Sequence, residues 1–212
     1  MRLYDYTASG NCLKVRLLLS LLDREYERVP IDIFAGDTLT PEYARINPAR
    51  ETPALELDDG AVITQSNAIL WFLAEGTAYL PASALERARV VQWLSFEQER
   101  VMPGIGGARF RLLTGRASKL EPGRFALGTS ALVTLDDHLR DHEYLVGGTP
   151  TIGDLSVFAY AHVAADAGFD LGAYPAVEAW LDRMQRHDRF VNDFERYPDN
   201  ARPGHGRSIY DV

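Results

Sequence analysis

The sequence predicts an α/β unit followed by an all-helical one. Three observations carry that expectation. Strand and helix signals alternate as far as Gly76, an Asp59-Gly60 pair sits between two short apolar runs, and only helical signals follow from Leu85 onward. In this reading residues 1–76 form the first domain and residues 77–84, with Pro81, a linker. Residues 85–212 form a helical domain that ends in an irregular tail rich in proline and glycine.

The elements follow in order. Arg2–Tyr6 is a short strand, with Leu3 and Tyr4 apolar. Cys12–Asp23 is a leucine-rich helix whose apolar positions cover most of its circumference, so it is expected to be buried on most sides. Tyr26–Ile33, β-branched and aromatic, reads as a second strand. Pro41–Ile46 is a short helix with proline in its first turn and Thr40 as its cap. Pro53–Leu57 and Ala61–Thr64 flank Asp58-Asp59-Gly60, a hairpin signal. Gln65–Glu75 is a helix stopped by Gly76. A strand–helix–strand opening implies a parallel pair, and the hairpin adds antiparallel strands. In the second half, Leu85–Val101 is a helix that Pro103-Gly104 and Gly106-Gly107 are expected to bend or break. Arg124–Asp141, Thr151–Ala167 and Pro175–Arg186 complete the helical set. Thr151 and Asp154 fit a capping box, a folding element.

Composition narrows the function. Lys and Arg number 22 against 30 Asp and Glu, a net charge of −8, which disfavours a nucleic-acid binder that must displace counterions with a basic face. No apolar run approaches the ~18 residues that span a bilayer. The opening Met1-Arg2-Leu3-Tyr4-Asp5 has no signal-peptide core, so a soluble cytoplasmic protein is expected. The single cysteine, Cys12, excludes an intramolecular disulfide and a multi-cysteine metal site. His138 and His142 have helical metal-ligand spacing but no third ligand nearby in sequence, so no metal is expected.

Three places could carry chemistry. Tyr6-Thr7-Ala8-Ser9-Gly10-Asn11-Cys12 joins a strand to the buried helix. Ser9 there is either a helix cap or, with the free helix N–H groups, a stabiliser of an anion. Asn47-Pro48-Ala49-Arg50-Glu51-Thr52-Pro53 precedes an apolar strand; it is either an ordinary loop or one that offers the Thr52 backbone to an extended peptide. Gln65-Ser66-Asn67 opens a helix, where Ser66 can cap or hold a carboxylate.

Taken together, and in this order, these segments resemble the cytosolic glutathione transferases over nearly the whole chain. The carriers are Ser9-Gly10-Asn11-Cys12 before Lys14-Val15-Arg16, Asn47-Pro48 with Thr52-Pro53-Ala54-Leu55, Asp59-Gly60, and Gln65-Ser66-Asn67-Ala68-Ile69, together with Thr151-Ile152-Gly153-Asp154. The resemblance, closest to the serine-type theta, zeta and phi classes and related bacterial branches, implies a thioredoxin-like domain followed by a helical one, in a homodimer. It implies glutathione as co-substrate and a role in detoxification. Ser9 would activate the thiol, with Asn11 next in line and Tyr6 third. Thr52, before Pro53, would pair with the cysteinyl backbone, and Gln65 and Ser66 would hold the γ-glutamyl end. Glu51 departs from the pattern, because the family usually places a basic or amide residue there, near the glycine carboxylate. Arg50 is the adjacent cation that could compensate. Tyr6, Met102 and Phe110 are candidate walls of a pocket for a small hydrophobic electrophile, and helix core is the alternative for the latter two.

Magnitudes show why this pattern suits thiol chemistry. The thiolate is the nucleophile, and a free thiol titrates near ~8.5. Lowering that to ~6.5 requires about 2.7 kcal/mol of preference for the anion. A helix N-terminus supplies ~0.3–1 kcal/mol, up to ~2 when partly buried. A hydrogen bond to a charged group adds roughly 1.5–3 kcal/mol. Helix and hydroxyl together suffice, so Ser9 is expected to act as a donor to the thiolate, not as a base or nucleophile. Reduction of disulfides or peroxides by glutathione fits the same residues, as does a non-catalytic binding module. Cys12 could form a mixed disulfide with glutathione, or could be a small buried hydrophobe.

Overall fold

In a computed structural model, which describes residues 1–211, the chain forms two compact units. The first comprises Met1–Leu73 and the chain from Val191 onward, and the second Ala74–Phe190.

The first unit is built on a four-stranded sheet in the order β2-β1-β3-β4, where β1 is Arg2–Asp5, β2 Glu27–Pro30, β3 Ala54–Glu56 and β4 Val62–Thr64. β1 runs parallel to β2, as the intervening helix requires, and antiparallel to β3, with Leu3 opposite Leu55. β3 and β4 form the expected hairpin, closed by a bond from Leu57 N to Ala61 O (2.8 Å), with Gly60 at φ 85°. Only glycine adopts that left-handed angle at no steric cost. β2 is shorter than the sequence suggests. Pro30 ends it, and the Asp32 carboxylate then accepts from Phe34 N (2.8 Å) and Ala35 N (3.2 Å), turning the chain off the ladder.

Three helices complete this unit: α1 (Gly10–Leu21), α2 (Pro41–Ile46) and α3 (Ser66–Ala74). α1 starts two residues before the expected point because Ser9 is its cap. Every residue from Cys12 to Leu19 is buried, including Lys14 and Arg16. The Arg16 guanidinium is neutralised by Asp5 (2.6 Å) and by Asp193 (2.8 Å). Asp193 belongs to the tail, which the sequence reading assigned to the helical domain. The tail instead completes the first unit: Asn200 donates to Asp32 (2.8 Å), Arg207 N donates to Phe34 O (2.7 Å), and the rings of Tyr197 and Tyr210 lie against the buried Phe34. Periodicity along the chain carries no trace of this return, because the tail is held by an ion pair, single hydrogen bonds, ring contacts and one isolated bridge between Ala35 and Arg207, and its own elements are only two short 3-10 turns.

The second unit is helical throughout: α4 (Ala84–Phe96), a π-helical stretch (Glu97–Gly106), α5 (Gly107–Leu113), α6 (Pro122–Leu139), α7 (Ile152–Ala161) and α8 (Pro175–Gln185). The expected break at Pro103-Gly104 does not occur. The helix widens into π turns and runs on into α5. The carbonyl of Pro103 is satisfied by Arg124 Nη1 (2.6 Å). Glycines allow the neighbours in: a β-carbon at Gly104 would come within 2.5 Å of Gly128 N, and one at Gly106 within 2.5 Å of the Tyr160 ring. α7 opens with the expected capping box and stops at Ala161, before a 3-10 turn at Ala164–Ala167.

His162, just beyond α7, is held by burial at a pKa of about 4, well below its ordinary 6.5. The unfolded chain therefore takes up a proton that the folded one refuses. Stability is fully present above pH ~6.5 and declines as pH falls towards ~4, by about 3 kcal/mol over that window. Denaturant midpoints measured from pH 7 to pH 4 should show this loss, and His162→Gln should flatten it.

Candidate active site

The site forms where the N-termini of α1 and α3 meet the turn before β3. Ser9 ends the β1–α1 loop, its backbone extended and its Oγ accepting from Cys12 N at 3.4 Å. That is longer than a normal N–H···O bond, so capping engages the hydroxyl only weakly. A serine hydroxyl that accepts in this way still has its hydrogen to donate.

Two residues on, the Asn11 side-chain carbonyl accepts from Lys14 Nζ (3.0 Å) and from Ser66 Oγ (3.1 Å), and Lys14 Nζ also lies 3.5 Å from Ser66 Oγ. Lys14 is fully buried and Ser66 nearly so. With its oxygen committed, Asn11 has its two N–H groups left as donors. This network joins α1 to α3 and brings together Asn11 and Ser66, two of the residues singled out in the sequence. Lys14 was missed as a functional residue. The available signal was a lysine inside a helix that is apolar on all sides, where a charge has no solvent face.

The turn before β3 is fixed from several directions. The carbonyl of Glu51 accepts from Tyr43 Oη (2.8 Å) and Asn47 Nδ2 (2.7 Å), and Asn47 Oδ1 accepts from Ala49 N (3.0 Å). Arg50 and Gln65 both have left-handed backbone, φ 59° and 70°. That conformation is uncommon for residues other than glycine and collects at functional sites. Arg50 Nη1 donates to Leu39 O (2.5 Å). The Thr52–Pro53 peptide bond is cis. The Glu51 carboxylate accepts from Gln65 Nε2 (3.3 Å), which joins the two flanks of the site.

Cys12 lies behind this surface, fully buried, its sulfur accepting from Tyr6 N (3.4 Å). Burial and the charge of Asp5 push its thiol up to about 12, more than the nearby side chains of Thr52 and Ser9 pull it down. A protonated, enclosed thiol is a poor nucleophile. In the native protein Cys12 should not react with an aromatic disulfide reagent until denaturant is added, and Cys12→Ala should retain turnover. Rapid labelling of the folded protein would overturn this.

The three candidate pocket residues are distributed over both units. Tyr6 is in the first, buried edge-on against Phe34 (ring centroids 5.9 Å), its hydroxyl without a hydrogen-bond partner among the described residues. It lines a cleft of about 420 Å³ with Arg28, Asp32, Glu195 and Arg196. Burial raises its phenol, so it is a neutral donor at physiological pH. Met102 and Phe110 are in the second unit, both partly buried, on the π-helical stretch and on α5. The Arg116 guanidinium sits 4.9 Å above the Phe110 ring. The His138 and His142 rings stack at 4.1 Å, and among the described residues no three metal-ligating side chains gather. Among the same residues no helix is long and apolar enough to cross a membrane.

Sequence patterns of known families match both units: that of the glutathione S-transferase N-terminal domain over residues 8–75 and that of the C-terminal domain over residues 125–183. A maleylacetoacetate isomerase of Rhizobium meliloti is 32% identical over 220 aligned positions, covering 95% of this chain and 97% of its own. A disulfide-bond oxidoreductase of Escherichia coli is 27% identical over 189 positions, covering 85% of this chain and 88% of its own. A crystal structure of a glutathione S-transferase from Pseudomonas fluorescens superposes with a TM-score of 0.87 at 39% identity, covering 92% of this chain and 98% of that one.

Proposed function

This chain belongs to the glutathione S-transferase family, and from that membership we propose that it is a glutathione transferase in which Ser9 activates the thiol for attack on a small hydrophobic electrophile. The observation that supports the assignment of Ser9 is its place as the cap at the N-terminus of α1, where its side chain meets both the backbone N–H and the sulfur of Cys12 and so can serve a thiolate in the same way. The O–H donates to the incoming thiolate, the positive end of α1 adds to it, and the Asn11 amide is the second donor. The thiol proton leaves to solvent, and the sulfur attacks the electrophilic carbon as the leaving group departs.

Glutathione itself is held along the turn and the two helix starts. Thr52, ahead of Pro53, pairs its backbone with the cysteinyl residue. Gln65 and Ser66 take the γ-glutamyl end, and Arg50 is the cation for the glycine carboxylate. Tyr6 offers a hydroxyl to the second substrate. The working form is a homodimer in the cytoplasm, serving to remove electrophiles. Val91 on α4 and Val133 on α6, each close to half exposed, supply apolar surface for a second copy.

A second reading, reduction of a glutathionyl disulfide, draws on the name of the Escherichia coli relative. Parallel assays with a halonitroarene, a glutathionyl disulfide and maleylacetoacetate separate the possibilities. Conjugation of the arene is expected, abolished when glutathione is omitted. Turnover of the disulfide alone would favour the second reading, and a folded protein with no retention on immobilised glutathione would leave a binding module.

A further inference from the structure

Two charged side chains adjoin Gln65 and Ser66, one buried and one exposed. The buried Lys14 Nζ is 3.5 Å from Ser66 Oγ, and Oε2 of the exposed Glu51 is 3.3 Å from Gln65 Nε2. A cation therefore stands one hydrogen bond from one residue, and an anion one hydrogen bond from its neighbour. A ligand group that suits this arrangement carries both charges on one carbon: an α-amino acid end. We propose that Lys14 and Glu51 form a charged clamp on the free amino-acid end of glutathione. This rests on the glutathione-binding reading above.

The two halves work differently. Glu51 is exposed and accepts directly from the α-ammonium, alongside the Gln65 amide. That gives the acidic residue a task at the γ-glutamyl end instead of an opposing charge at the glycine end. Lys14 has no access to solvent and acts through Ser66 as a positioning residue. The Ser66 hydroxyl donates to Asn11 Oδ1 (3.1 Å). When the α-carboxylate arrives, that hydroxyl turns outward to it. Lys14 keeps Asn11 Oδ1 satisfied in both states (3.0 Å), so the turn leaves no orphaned acceptor, and its charge favours the incoming anion. The same bond keeps the Asn11 amide oriented.

The test uses the full chain and titration calorimetry with four ligands: glutathione, its glycine ethyl ester, the analogue lacking the α-amino group, and the analogue with the α-carboxylate amidated. Wild-type protein should prefer glutathione over each of the last two by roughly ten-fold or more, and over the glycine ester by less. In Glu51→Gln the preference over the deaminated analogue should collapse, while the ratio to the glycine ester stays unchanged. In Lys14→Gln, which can still hydrogen-bond Asn11 and Ser66, the preference over the α-amide should collapse. KM for glutathione should rise roughly ten-fold, while the preference over the glycine ester stays as in the wild type. If Lys14→Gln does not fold, the wild-type ratio for the α-amide decides that half, and near-equal affinities overturn it. Tighter glutathione binding in Glu51→Gln, with loss of discrimination against the glycine ester, would place Glu51 at the other end and overturn the clamp. If wild-type protein binds none of the four, the glutathione-binding reading fails and the clamp with it. Binding of glutathione with unchanged selectivity in both variants overturns the clamp alone.

Discussion

Replacing Ser9 with alanine is expected to keep the fold and most of the affinity for glutathione while raising the pKa of the bound thiol by about one to two units. The stability cost is small because the cap bond is long: 3.4 Å from Ser9 Oγ to Cys12 N, which places the loss at the low end of the ~0.5–2 kcal/mol range for such caps. The effect on the anion is large because the hydroxyl supplies the part of the ~2.7 kcal/mol that the α1 terminus cannot. If the wild-type bound thiol titrates near ~6.5, the thiolate fraction at pH 7 falls roughly 3- to 25-fold in the variant. Turnover at pH 7 should fall with it and recover at higher pH. Ultraviolet titration of the thiolate in the binary complex measures the shift directly. An unshifted midpoint would leave Ser9 as a cap and nothing more, and Ser9→Thr should restore the wild-type value.

The largest stability effect is expected at Asp154. Its carboxylate is fully buried and accepts four bonds, from Leu145 N (2.9 Å), Thr151 N (2.9 Å), Thr151 Oγ1 (3.0 Å) and the indole of the buried Trp180 (3.1 Å). One side chain thus fixes the start of α7, the loop before it and a core residue of α8. Asp154→Ala strands all four donors away from water. Individual losses of this kind cost about 1–3 kcal/mol, and together, since they are not additive, about 3–5 kcal/mol. For a chain of this size that is a fall in Tm of roughly 6–20 °C. A melt that moves by less than about 2 °C, under ~1 kcal/mol, would show that water replaces the carboxylate.

Much of the architecture is legible in the sequence because local chemistry agrees with it. Ser9, Thr40 and Thr151 each mark a helix start, Asp59-Gly60 marks the hairpin, and each is found in that role. The parts that escape reading depend on contacts between distant residues. Arg16 finds its second carboxylate 177 positions away, at Asp193, and no window along the chain can see that pair. Pro103 and Gly104 carry the signature of a break, yet tight packing of Gly104 and Gly106 against α6 and α7 keeps the chain helical by widening its turns. At the site, the cap Ser9 is visible from pattern alone. The buried Lys14 leaves a weaker signal, a charge in a helix whose apolar positions leave little solvent face for it. The bond between Glu51 and Gln65, which decides what an acidic residue is doing beside the turn, leaves none.

The return of the tail has a consequence for synthesis. The sheet and α1 leave the ribosome early, but Arg16 waits for Asp193 and Phe34 for Tyr197, partners translated more than 150 codons later. The half of the protein made first is therefore the half finished last. A nascent chain arrested before Val191 should expose that half to chaperones and proteases, whatever the state of the helical bundle.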